Sequence, residues 1–355
     1  MHQMNNFSNQ LVKWYRLNFR QLPWRKTKNP YYIWISEIIL QQTRVAQGLP
    51  YYQKFIARFP DVNTMANASE NEILQLWQGL GYYSRARNMH HTAQVIFKNN
   101  KSKFPSCYNE LIELKGIGDY TAAAISSFSS NEKKAVIDGN VYRVLARIFG
   151  ITEEINSTTG KKIFREKAEK LLPEKNPGEH NQAIMEFGAL QCVPVNPDCT
   201  KCIFASACIA YATGKINQLP VKKKKSPVKK RYFNYLVITD GKSVIMKKRS
   251  EKDIWKGLFD FPLLETKNEK PNTSEKTVWK KLKNNFKLKE IEKSEKKYRH
   301  LLSHQQLNIR FEIYKITPLT ATPDFQKIKL NTDDFPGVPQ VIMKLLKNEN
   351  WFRKI

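Results

Sequence analysis

The sequence predicts an all-helical domain joined to a small α+β domain. Three observations point there: apolar residues recur at helical spacing through the first part of the chain, a basic segment interrupts them, and the period changes to two beyond it. From Lys222 to Arg231, seven of ten residues are Lys or Arg and Pro227 divides them, as in an extended, solvated connector. The resulting boundaries are a helical region over 1–215, a linker over 216–231 and a second domain over 232–355. A chain of 355 residues exceeds one ordinary hydrophobic core, which agrees with a division.

In the first region, Asn29 and Pro30 form a cap and first-turn pair opening a helix over Tyr31 to Gln41. Val45 to Phe59, Glu70 to Trp77, Ala86 to Phe97, Tyr108 to Leu114, Thr121 to Phe128 and Val141 to Phe149 follow as helices. After the linker, Tyr232 to Ile238 and Ser243 to Lys248 flank the turn pair Asp240-Gly241 as a hairpin. Leu307 to Lys315 alternates as a strand, while Glu275 to Phe286 and Gln340 to Leu346 read as helices.

Sixty Lys and Arg against thirty-two Asp and Glu give a formal charge of +28, which implies a polyanionic partner. Nucleic acid leads over an anionic membrane, because no lipidation signal or basic amphipathic helix stands out and no apolar run is long enough to cross a bilayer. The residues after Met1 lack the basic start and apolar core of a secretory signal, so a reducing cytoplasm is expected. In that setting the cluster Cys192, Cys199, Cys202 and Cys208 points to a metal rather than to disulfides. Its spacing alone fits structural zinc or an iron-sulfur cluster. The fifth cysteine, Cys107, reads as a small core residue.

Leu114-Lys115-Gly116-Ile117-Gly118-Asp119-Tyr120-Thr121-Ala122 carries the nucleic-acid argument. Two glycines around one apolar residue turn the chain sharply between helices and bring bare amides, with a helix N-terminus behind them, close to an anion. Trp77-Gln78-Gly79-Leu80-Gly81-Tyr82-Tyr83-Ser84-Arg85-Ala86 repeats the spacing. Such hairpins grip phosphate without reading bases.

Together with Val136-Ile137-Asp138-Gly139-Asn140-Val141 and the six-two-five cysteine spacing, the hairpin resembles the endonuclease III superfamily of DNA glycosylases. Within it, Trp34-Ile35-Ser36-Glu37-Ile38-Ile39-Leu40-Gln41-Gln42-Thr43 resembles the MutY-type adenine DNA glycosylases, and the resemblance extends over essentially the whole chain. It implies an all-α helix-hairpin-helix domain built as a six-helix barrel, with a 4Fe-4S cluster held in loop 192–208 by the four cysteines. A C-terminal α+β Nudix-like domain follows. The implied enzyme is a monomer acting, in the cytoplasm and not at a membrane, on double-stranded DNA with A:8-oxoguanine or A:G mispairs.

Glu37 is the odd residue in an otherwise apolar helix, so burial should raise its pKa and make it a proton donor; a buried ion pair, with Arg44 for instance, is the equal alternative. The resemblance assigns it protonation of the departing adenine. Asp138 or Asn140 could simply cap the helix starting near Val141. By resemblance, Asp138 also stabilises the cationic sugar, and Asn140 lies at the DNA-binding site. Tyr120 stands where bifunctional relatives carry the lysine that forms a Schiff base, which implies a monofunctional enzyme. Lys115, Gly116, Ile117 and Gly118 are then phosphate contacts. Gln42 and Tyr82 match residues that wedge or fill the stack when the base is flipped, and Trp24, Arg25 and Gln182 match the adenine pocket, Gln182 departing from a frequent glutamate.

In the second domain, Trp255-Lys256-Gly257-Leu258-Phe259-Asp260-Phe261-Pro262 resembles the Nudix-like aromatic segment, and the glutamate-rich box that holds magnesium in a Nudix hydrolase is missing. Leu302-Ser303-His304 matches a Phe-Ser-His loop, so Ser303 and His304 would address 8-oxoguanine, with Leu302 replacing the aromatic. Two alternatives stand beside this reading: a bifunctional endonuclease III-type lyase, and a non-catalytic iron-sulfur DNA-binding protein.

Overall fold

The computed structural model describes residues 2–99, 103–223, 227–249, 253–286, 288, 293–302, 304–332 and 334–351. Among them the helices are α1 (His2–Asn18), α2 (Pro30–Leu40), α3 (Val45–Arg58), α4 (Val62–Asn67), α5 (Glu70–Leu76), α6 (Ser84–Asn99), α7 (Tyr108–Ile112), α8 (Asp119–Ser130), α9 (Gly139–Phe149), α10 (Thr158–Leu171), α11 (Pro177–Leu190), α12 (Ile209–Ala212), α13 (Thr273–Asn285) and α14 (Gln340–Asn348). The strands are β1 (Lys229–Thr239), β2 (Ser243–Lys248), β3 (Phe259–Asp260), β4 (Leu263–Thr266), β5 (Lys293–Leu301), β6 (Gln305–Lys315) and β7 (Gln326–Lys329). Two compact units result. One comprises Met1–Asn67 with Asn88–Lys224, the other Ala68–Arg87 with Lys225–Ile355.

Local signals set the helix starts in the first unit. The Asn29 side chain accepts from the Tyr31 amide with Pro30 in the first turn of α2, and Asp138 and Ser157 cap α9 and α10 in the same way. Along α9, Val141, Val144, Leu145 and Ile148 form one buried stripe, and it packs with Phe164 of α10, Phe187 of α11 and Leu11 of α1. Helix α2 packs against α3 and α8, which buries Trp34, Ile35, Ile38 and Ile39. No described helix is long and apolar enough to cross a membrane.

In the second unit the sheet runs β3-β2-β1-β6-β5, with β4 also paired to β1 and β7 to β2. β1 and β6 are parallel from Lys229 opposite Gln305 to Thr239 opposite Lys315, and the other pairings are antiparallel, so the sheet is mixed. Being central, β1 is buried on both faces: Phe233, Tyr235 and Val237 pack with α14, and Leu236 and Ile238 pack on the opposite side with Phe286 and Trp279. At the β1–β2 turn Gly241 has φ +82°, and the Asp240 carboxylate accepts from the Lys242 and Ser243 amides.

The residues read as a linker are largely engaged. Leu219 is buried in the first core, Val221 accepts from the Ile155 amide at 3.1 Å, and Lys229 to Arg231 already run in β1. Cys107, read as a core residue, is exposed, because it stands at the N-cap of α7 rather than inside a packed helix.

His180 of α11 is buried against Ser8, 2.8 Å from the hydroxyl, and burial lowers its pKa to about 4. The folded value lies below that of the unfolded chain, so neutral His180 stabilises the fold above about pH 6.5, and this is lost as pH falls towards 4. The loss at pH 4 is about 3 kcal/mol. Thermal unfolding from pH 7 to 4 should show this drop, and His180→Gln should flatten it.

Candidate active site

Glu37 sits mid-way along α2, flanked by Ile35, Ile38 and Ile39, and is buried with them. Its partner is Tyr120, whose hydroxyl donates to Glu37 Oε2 at 2.9 Å, while Arg44 lies exposed at the start of α3. Burial pushes the Glu37 carboxyl up to about 7; the Tyr120 bond and the Arg25 charge oppose the shift, and nearby Asp138 reinforces it. Burial also holds the Tyr120 hydroxyl well above its usual range, so it remains a donor.

Asp138 caps α9 and faces the same space. Its Oδ1 accepts from the amides of Asn140 and Val141 at 2.8 Å each, and its Oδ2 accepts from Asn140 Nδ2 at 2.7 Å. Burial raises its pKa while these donors pull it back towards the anion. The capping reading and the site reading are therefore compatible.

A cavity of about 450 Å³ brings together Glu37, Tyr120 and Asp138 with Trp24, Arg25, Gln42, Asn140 and Gln182. Trp24 rests edge-on against Tyr52, with ring centroids 5.1 Å apart. Gln182 Oε1 accepts from Tyr15 Oη at 2.8 Å. Gln42 follows α2 with φ +58°, in the left-handed region.

At the hairpin between α7 and α8, Ile117 is buried while Lys115, Gly116 and Gly118 are exposed. Gly116 has φ +85°, and a Cβ there would lie 2.7 Å from Asn88 Cβ, so the turn itself demands glycine. Gly118 has φ −93°, and a Cβ on it would meet nothing within 4 Å. Packing therefore leaves Gly118 a bare, open backbone.

Tyr82 and His304 belong to the second unit, where a cavity of about 500 Å³ is lined by Gly79 to Ser84 together with Trp255, His300, Leu302 and His304. Ser303 lies outside the described residues.

None of the four clustered cysteines is in a disulfide. They line one narrow cavity with Ile148, Phe187 and Tyr211. Arg147 of α9, 1% exposed, donates to the carbonyls of Val193, Pro194, Ile216 and Leu219 and so holds the loop's two ends. One turn earlier, Arg143 donates to Cys192 O at 2.7 Å, Gly188 O at 2.5 Å and Asn140 Oδ1 at 2.8 Å. The cysteine loop and the Asp138 turn thus share one guanidinium.

The HhH-GPD superfamily of base excision DNA repair proteins matches residues 35–174, and the NUDIX domain matches residues 234–348. The adenine DNA glycosylase of Buchnera aphidicola subsp. Schizaphis graminum is 38% identical over 354 residues, which covers 96% of this chain and 98% of that protein. The chain belongs to the adenine DNA glycosylase family. The Homo sapiens protein of that name is 38% identical over 213 residues, or 58% of this chain and 39% of its own. Among solved structures, a thermostable thymine-DNA glycosylase aligns with a TM-score of 0.56 at 28% identity, over 60% of this chain and 98% of that one. A non-covalent endonuclease III–DNA complex aligns with a TM-score of 0.52 at 18% identity over 60% and 97%, which speaks for the fold alone. The helix-hairpin-helix domain and the Nudix-like domain expected from the sequence are the architecture of this family member.

Sequence reasoning missed four charged residues around the site: Arg20, Glu186, Arg143 and Arg147. Their partners lie far along the chain, as with Arg25 and Glu186 at a separation of 161 residues, so no local pattern reveals them. Gly188 was missed too. A Cβ there would lie 2.7 Å from Asn140 Cβ and 3.0 Å from Asn140 O, so α11 presses on the Asp138 turn at this point. Gly188→Ala should cost about 1–3 kcal/mol in denaturant unfolding. Gly118→Ala, with open space around it, should stay within about 0.5 kcal/mol.

Proposed function

We propose that this chain is a monofunctional adenine DNA glycosylase that hydrolyses the N-glycosidic bond of adenine paired with 8-oxoguanine or guanine. The observation that supports it most is a buried, protonatable Glu37 sharing a cavity with Asp138, beside a tyrosine rather than an amine at position 120. An adenine flipped from the duplex enters the cavity between Trp24 and Arg25, where Gln182, its carbonyl oxygen engaged by Tyr15, presents its amide group. Glu37 gives its proton to the five-membered ring of the base. The bond electrons then leave with the neutral base, and the sugar carries the positive charge. Asp138, its oxygens already oriented by the Asn140 and Val141 amides, stabilises that cation. Water adds to the sugar, its released proton passing to the Glu37 carboxylate left by the first step, and an abasic site remains. Tyr120 has no amine with which to form an imine and cut the strand.

Gly116 and Gly118 hold the backbone phosphate through their amides, with Lys115 adding charge. The open space at Gly118 suits such an approach, since the fold itself makes no use of it. Gln42 and Tyr82, both at positive φ, fill the vacated stack. Ser303 and His304 address the opposite base, with Leu302 replacing the family's aromatic; His304 and Leu302 line the cavity of the second unit.

Cys192, Cys199, Cys202 and Cys208 would hold a 4Fe-4S cluster, a scaffold that orders the loop 192–208. Four thiols around a common cavity match that donor set. Among the described residues no three His, Cys, Asp or Glu side chains gather closely enough for a single ion.

An A:8-oxoguanine duplex should lose adenine and break only after alkali treatment. Glu37→Gln should slow single-turnover excision by at least about 100-fold while still binding the duplex. Because the donor must be protonated, the wild-type rate should fall about tenfold per pH unit above about pH 7. Unchanged excision by Glu37→Gln, or borohydride trapping of a covalent complex, would overturn the reading. The native protein should be brown and contain iron and sulfide; a colourless protein loaded with zinc would sink the cluster assignment.

A further inference from the structure

The cavity wall carries more charge than the proposed chemistry uses. Glu186 of α11 is fully buried there, in the cavity that also contains Glu37. Arg25 grips it in bidentate fashion, Nη1 to Oε1 and Nη2 to Oε2, both at 2.7 Å. Arg20 donates three times more, from its backbone amide at 2.8 Å, Nε at 2.9 Å and Nη2 at 2.5 Å. Two and three make five donors on two oxygens, which saturates the carboxylate and leaves it no direct part in acid-base work. Burial opposes its charge, but the two arginines hold its pKa at about 2. Glu186 is therefore an anion at any working pH.

Five places contribute groups around Glu37: Tyr120 from α8, Asp138 and Asn140 at the start of α9, Arg25 from the turn Pro23–Arg25, Arg20 just before it, and Gln182 and Glu186 from α11. Arg25, Arg20, Glu186 and Asp138 are the charged ones. A positive charge beside a carboxyl group favours its anion, the wrong form for a proton donor. With Glu186 in place the arginine cluster sums to +1, and without it to +2.

We propose that Glu186 is a positioning and charge-balancing residue for base excision: it clamps Arg25 and Arg20 on the cavity wall and cancels enough of their field to keep the Glu37 carboxyl protonated near neutral pH. This rests on Glu37 being the proton donor.

The test is the pH profile of single-turnover excision on an A:8-oxoguanine duplex with the full-length protein. In Glu186→Gln the alkaline limb should move down by about one unit, making the variant about tenfold slower than wild type at pH 8 but within about threefold at pH 5.5. Adding Arg20→Gln to it should move the limb back. If Glu186→Gln does not fold, Arg20→Gln alone should move the limb to higher pH. A limb that stays in place while the rate drops equally at all pH, or a double variant that resembles the single one, overturns the proposal. Should Glu37→Gln still excise adenine, the donor reading fails first; if it is inactive and the limb of Glu186→Gln is unmoved, only the charge-balancing role falls.

Discussion

One carboxyl group held out of water organises this site. Glu37 interrupts a helix whose other side chains are almost all apolar, so α2 can pack on α3 and α8 only by taking the carboxyl in with them. An ionised carboxylate there would be expensive, and the group answers by binding a proton near neutrality. Much of the surrounding polar structure bears on that proton. Tyr120 supplies the hydrogen bond that makes burial tolerable, Asp138 adds a negative charge that favours protonation, and the Arg25–Glu186 pair sets the opposing field.

The second carboxylate depends on helix geometry instead. Asp138 can stay charged in a half-buried place because the first amides of α9 point at it, which is what any helix N-terminus offers an acidic cap. What makes this cap special is the packing behind it. Gly188 of α11 lies against Asn140, and Arg143 ties Asn140 to Cys192 O, so the cysteine loop, α9 and α11 jointly locate the turn. Arg143 and Arg147, one turn apart on α9, serve the loop as internal struts, while Val144 and Ile148 enter the core. The loop's contribution to the site is mechanical, since no cysteine lines the cavity of Glu37 and Asp138.

Much of the fold could be read in the chain because its signals are local. The Asn29-Pro30 start, the Asp240-Gly241 turn and the helical stripe of Val141 to Phe149 need only their neighbours to be recognised. Helices α1 and α10 escaped, being polar on most positions and buried along a narrow strip, and α11 escaped because buried polar residues such as His180, Asn181 and Glu186 interrupt its apolar pattern. So did the strand β5, whose described residues are mostly charged and exposed because it sits at the edge of the sheet and needs no second apolar face. The linker was read from its charge, and composition alone does not show that Leu219 returns to a core or that Lys229 pairs with Gln305.

By itself, then, the sequence determined the two-domain architecture, the hairpin, the cysteine set and the identity of Glu37, Tyr120 and Asp138 as residues of interest. The period change and the basic segment mark the two domains, spacing marks the hairpin and the cysteine set, a carboxyl group in an apolar helix marks Glu37, and only the resemblance to a known family points to Tyr120 and Asp138. Only the tertiary structure decided that Tyr120 donates to Glu37 and that Asp138 both caps α9 and faces the cavity. It also revealed that Glu186 neutralises two arginines more than 160 residues away. The reason is physical: a pKa or a field depends on distance and on exclusion of water, and packing between segments remote in the chain sets both.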